Sequence, residues 1–172
     1  MLSQSGCTLS FFYLTTRTRP ARIDVLPEGH ELCFDPSSRL LYASRTYRSG
    51  HWLAHAAESH EITVVDVDTH DVVDVIDPSP EHAPHELLLD SDAGLLYASV
   101  EEGHAGPGGL VAIDLEYRHI VRRISADAAI PHWATLTADG NKGVHQQQTG
   151  TIRFGARSRR SWGGSTTDTG AG

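Results

Sequence analysis

Fifteen residues from His30 to Ser44 return without a gap from His85 to Ser99, with the same residue at nine of the fifteen positions. A second shared unit follows each copy in the same order, Ile62 to Asp77 after the first and Leu110 to Ser125 after the second. A chain built this way folds as repeated units, each too small to bury its own hydrophobic faces and therefore stacked on its neighbours.

The repeat spacing is 55 residues from His30 to His85 and 47 from His85 to His132, a period that fits propeller blades better than helical pairs. Each period holds four short apolar runs separated by clusters of Asp, Ser, Gly and Pro, which are turn formers. In the first complete period the runs are Glu31 to Phe34, Leu40 to Ser44, Ile62 to Val67 and Val72 to Ile76. They are rich in Val and Ile, and none is long enough for an ordinary helix. The expected fold is all-β, with blades of four antiparallel strands. Leu32, Phe34, Leu41, Val64, Leu87, Leu89, Leu96 and Ile113 are expected to lie buried between blades.

Partial units flank the two complete ones. Leu9 to Asp24 aligns with Ile62 to Asp77, so the chain is expected to open inside a blade at its third strand. His132 to Lys142 begins a further inner strand, after which the pattern stops. A partial propeller over 1–142, with blade boundaries near 30, 85 and 132, is therefore expected to precede a disordered tail over 143–172, rich in Gly, Ser, Thr, Gln and Arg. By alignment with Leu40 to Ser44, a tyrosine should stand at Val144. A one-base frameshift beside Lys142 restores that tyrosine at position 144, and the tail is read as the product of such a shift.

Charge limits the partners. The formal net charge is −8, and the tail holds four Arg against one Asp, so the first 142 residues carry −11. An acidic body of this kind lacks the basic surface that nucleic acids and anionic membranes require. Two cysteines, Cys7 and Cys33, are too few for a disulfide framework. Met1 to Leu14 has no positively charged start, sustained apolar run or small-residue cleavage site, so no export signal is read and a cytoplasmic location is the default expectation.

The run Phe34-Asp-Pro-Ser-Ser-Arg-Leu-Leu-Tyr-Ala-Ser44, with Ile62 to Thr69 and Val72 to Ile76 after it, resembles the YVTN-type repeat of bacterial YncE-like β-propellers. The resemblance covers Leu9 to Lys142. It departs at Ala43 and Ala98, where the family has threonine, and in the extra residues between Thr46 and Glu61. It implies a disc of about seven blades, of which this chain holds two complete and two partial ones. An open arc exposes blade edges, through which it could self-associate.

Candidate chemistry centres on histidine, present eleven times in 172 residues. His30, His85 and His132 occupy one equivalent position, each just before an innermost strand. In related propellers this point lies at the mouth of the central channel, on the ligand-binding face. The loop between second and third strands belongs to the same face and supplies His51, Trp52, His55 and His60 in one unit and Glu101, Glu102 and His104 in the next. Imidazoles converging there could hold a divalent metal or polarise a bound anion. The structural alternative is that each unit needs a polar group to satisfy backbone at the blade junction, repetition following from duplication. No cofactor is required by the sequence. Asp66 and Asp114 are read as turn-fixing residues.

Three function classes follow. One is a non-enzymatic propeller scaffold that binds a small molecule or protein across its top face. Another is a hydrolase resembling propeller lactonases, although Pro84 and Pro131 stand where those enzymes carry arginine. The third is a metal-binding propeller crowned by histidines.

Overall fold

The computed structural model describes residues 1–51, 54, 55, 57–101, 103, 106–128, 130–137, 142–147 and 152–156, with the backbone alone described for 50, 51, 54, 55, 127, 128, 142–147 and 152–156. Every regular element is a strand. A first sheet contains β1 (Leu2–Ser3), β2 (Thr8–Tyr13) and β3 (Thr18–Asp24). Next come β4 (Gly29–Asp35) and β5 (Leu40–Arg45), a small hairpin of β6 (Gly50–His51) and β7 (Ala54–His55), then β8 (Ile62–Asp66) and β9 (Asp71–Ile76). The second sheet runs β4-β5-β8-β9, so the hairpin interrupts the connection between its middle strands. The third sheet repeats that order with β10 (Leu87–Asp90), β11 (Leu95–Val100), β12 (Gly108–Asp114) and β13 (Ile120–Ala128). A fourth holds β14 (Pro131–Leu136), β15 (Lys142–Gln147) and β16 (Ile152–Ala156).

Register follows the repeat. Tyr42 lies between Cys33 and Val64, and its counterpart Tyr97 between Leu88 and Ala112. The turns repeat as well. Asp66 accepts hydrogen bonds from the amides of Asp68 and Thr69, and Asp114 from those of Glu116 and Tyr117, as expected of turn-fixing aspartates. Each closes on a left-handed residue, His70 (φ 62°) or Arg118 (φ 56°).

Strand alternation divides the core. On β5 and β8, Leu41 and Val65 point towards the first sheet and pack with Leu9, Leu2, Phe11 and Ile23. Their neighbours Tyr42 and Val64 point the other way and join Leu87, Leu96, Val111 and Ile113 in the cluster between the second and third sheets. This is the period of two expected of strands buried on both faces.

Two expected core residues are exposed instead. Leu32 and Phe34, at 37% and 42% exposure, lie on the face of β4 turned towards the first sheet. They border a groove with Leu9, Phe11, Phe12 and Leu41. The first sheet has three described strands, none of them an innermost strand opposite β4, so among the described residues that face is only partly covered. Leu89 is half-buried, while Leu41, Val64, Leu87, Leu96 and Ile113 are buried.

The backbone of 142–147 pairs with β14, and that of 152–156 pairs in turn with 142–147. Val144 sits opposite Thr135 and Phe154, in the place that Tyr42 and Tyr97 take in their sheets. The rest of the tail lies outside the described residues.

Candidate functional site

The starts of the innermost strands come together at one end of the sheets. His30 is the second residue of β4, His132 the second of β14, and His85 precedes β10, its amide bonded to the carbonyl of Ser99 at 2.9 Å. Their rings form a single file. The centroids of His30 and His85 are 3.9 Å apart with planes tilted 51°, and those of His85 and His132 are 3.7 Å apart with planes tilted 46°. The outer two rings are separated by 6.3 Å. Trp133 meets His132 edge-on at 4.6 Å.

Serines, not these histidine rings, serve the blade junctions. The Ser44 hydroxyl donates to the carbonyl of His85 at 2.6 Å and accepts from the amide of Glu31 at 3.0 Å. Ser99 makes the same pair of bonds one unit later, donating to the His132 carbonyl at 3.0 Å and accepting from the Glu86 amide at 2.9 Å. Each serine thus ties the inner strand of its own blade to the start of the next. The histidine rings meet across that junction by packing on one another, and among the described residues none of the three hydrogen-bonds to its backbone. His85 is 3% exposed, and neither of its ring nitrogens has a hydrogen-bond partner among the described residues.

Burial governs the protonation of the file. It pushes the His85 pKa down to about 2, with His30 and His132 adding to the effect. Burial also lowers His30, opposed in part by the carboxylate of Glu31 at 3.6 Å, and lowers His132. All three imidazoles are therefore neutral near pH 7, with lone pairs available to a ligand. Glu86, the counterpart of Glu31, is raised by burial and by Glu31.

Of the loop residues expected at the same face, His60 and Glu101 have described side-chain contacts, and these are with residues outside the file. His60 bonds through Nδ1 to the Glu81 carbonyl at 2.7 Å, and its ring lies 6.2 Å from that of His82. Glu101 accepts from the Tyr47 hydroxyl at 2.5 Å. His82 faces Glu58 at 3.5 Å, and Arg123 pairs with Glu81 at 2.6 Å. These residues make a second, mostly buried polar cluster beside the file. His51 and His55 are placed by backbone only, in β6 and β7. Trp52, Glu102 and His104 lie outside the described residues.

Sequence reasoning overlooked Glu31 and His82. The first had a signal, because glutamate follows the histidine in both full repeats. His82 had none, since the corresponding stretch of the next unit, Ser125 to Pro131, holds no histidine.

No family model matches the chain, and no curated protein matches it. Many solved structures do match in fold. One is hydrazine synthase of Kuenenia stuttgartiensis, with a TM-score of 0.71 at 16% identity over 89% of this chain. The fold is that of a β-propeller. This chain spans 41% of the length of that structure. At such low identity the likeness concerns architecture alone.

Proposed function

We propose that this chain is part of a YncE-like propeller scaffold that binds a small ligand or partner at its top face, with the file of His30, His85 and His132 as the site and no catalysis of its own. The observation that carries this reading is the buried His85, whose ring nitrogens are left without partners while serines satisfy the junction. Buried polar groups are ordinarily bonded, so such an imidazole suits a site that an external group completes. Pro84 and Pro131 take the position where propeller lactonases carry arginine, which argues against a hydrolase.

Trp133 supplies a built-in reporter. In a Trp52→Phe/Trp162→Phe background its fluorescence is titrated with small carboxylates, phosphates and lactones, with lactone hydrolysis followed in parallel. The expected result is a saturable change with at least one class, abolished by His85→Phe, and no turnover. Turnover lost on His85→Phe would establish a hydrolase instead, and no saturable response would remove the binding reading.

The proposal extends to the stretch from Gly143. Its backbone keeps the register of the other blades while Gly143 and Val144 replace the leucine and tyrosine of that position, which supports a frameshift beside Lys142. The nucleotide sequence tests it: the alternative frame should encode further repeats.

A further inference from the structure

We propose that His30, Glu31 and His85 bind one divalent first-row transition-metal ion. This inference rests on reading the histidine file as the binding site, and it specifies what that site holds.

Donor geometry is the first support. One nitrogen from each of His30 and His85 and a carboxylate oxygen of Glu31 lie within 4.8 Å of one another. Donors about 2.1 Å from a shared metal sit roughly 3 to 4 Å apart, so the set closes with side-chain adjustments on the order of an ångström. The 51° tilt between the His30 and His85 rings lets their planes converge instead of running parallel.

The second support is independent of spacing. His85 is almost wholly buried with both ring nitrogens unpartnered among the described residues, and Nδ1 of His30 is also buried without a hydrogen bond. A metal takes one nitrogen of each ring, supplying a partner where water or a protein donor would otherwise be needed.

Preorganisation comes from the surrounding residues. Ser44 fixes the Glu31 amide and the His85 carbonyl together, so the backbones carrying two of the three donors are tied through one hydroxyl. His132 covers His85 and limits its rotation, acting as a positioning residue. Two imidazoles with one carboxylate suit zinc, cobalt or nickel better than calcium or magnesium, which prefer oxygen ligands. Three protein donors leave a coordination position for water or an outside ligand.

The test uses the full chain, stripped with EDTA and then dialysed free of it. Co²⁺ is titrated by its visible absorption, and Zn²⁺ by competition with a chromophoric chelator. One equivalent per chain is expected, with His85→Phe abolishing binding, Glu31→Gln and His30→Ala each weakening it at least about tenfold, and the His60→Phe control unchanged. His132→Phe should retain one equivalent but alter the cobalt spectrum, as a positioning residue would. Circular dichroism checks each fold. If His85→Phe does not fold, the more exposed Glu31 and His30 variants decide. Absence of binding in the folded wild type, or equal binding in the Glu31 and His30 variants, overturns the proposal. Repeating the Trp133 titrations in EDTA separates the two readings: a ligand response without metal leaves the binding site standing, and silence in both assays removes both.

Discussion

Replacing Ser44 by alanine tests the blade junction directly. The residue is fully buried, and its hydroxyl makes two bonds across the junction, to the His85 carbonyl at 2.6 Å and from the Glu31 amide at 3.0 Å. Alanine removes the hydroxyl and leaves both backbone groups without that partner. A buried group so orphaned costs about 1 to 3 kcal/mol. The Glu31 amide is only partly buried, which places it at the low end, so the total loss is about 2 to 4 kcal/mol. Ser99 is equally buried, but Ser99→Ala breaks bonds at 3.0 and 2.9 Å to two backbone groups that are both only partly buried, and should cost about 2 kcal/mol by the same reasoning. Urea unfolding followed by far-ultraviolet circular dichroism measures both. At a slope near 2 kcal/mol per molar, Ser44→Ala should lower the midpoint by roughly 1 to 2 M without changing the slope. A shift below about 0.3 M, or a larger effect from Ser99→Ala, would refute the view that these serines hold the blades together.

Leu87→Ala should cost about 2 to 5 kcal/mol, because the side chain is 4% exposed in the core between the second and third sheets. Phe34→Ser should shift the same urea midpoint far less, since Phe34 lies open on the groove; equal losses would contradict the assignment of faces on β4. The Asp35 carboxyl is raised by burial, but hydrogen bonds from Ser37 and Ser38 outweigh this and hold its pKa below the usual value. Its folded pKa being the lower, it contributes stability that is fully present above about pH 4 and fades as pH falls through the folded value. Asp35→Asn should therefore flatten the acid side of the stability profile, and an unaltered profile would exclude this role. The Arg39–Asp68 pair is exposed at both ends, so Arg39→Ala should leave the urea midpoint within error of the wild type, and a clear loss would mean the pair does more than its exposure allows.

The blades were legible in the sequence because strand alternation and turn chemistry are local. Tyr42 and Tyr97 announced one register by matching position, and Asp66 and Asp114 announced their turns by residue type alone. Leu32 and Phe34 were misjudged because alternation reports which way a side chain points and not whether a neighbour stands there. The histidine file was readable as three equivalent positions. Its function in the junction was not, because the bonds that matter belong to serines one strand away, and the orphaned nitrogens of His85 arise from the stacking of three units. The cluster around Tyr47, His82 and Glu101 joins segments up to 54 residues apart without repeat symmetry, so nothing in the chain advertised it. Gly143 to Gln147 carries no strand alternation in its sequence, yet its backbone pairs with β14.

The serine at each junction separates two properties that ordinary binding pockets entangle. In most sites the side chains that touch a ligand also prop one another apart, so altering one disturbs the spacing of the rest. Here the interval between successive rim positions is handed from one unit to the next through main-chain atoms, while the side chains at 30, 85 and 132 project from marks already laid down. Exchanging those side chains changes what the rim can hold at nearly constant geometry, whereas altering Ser44 or Ser99 changes the geometry at constant chemistry. A lineage built on such units could acquire a new ligand by substitution at the rim without refolding the arc beneath it.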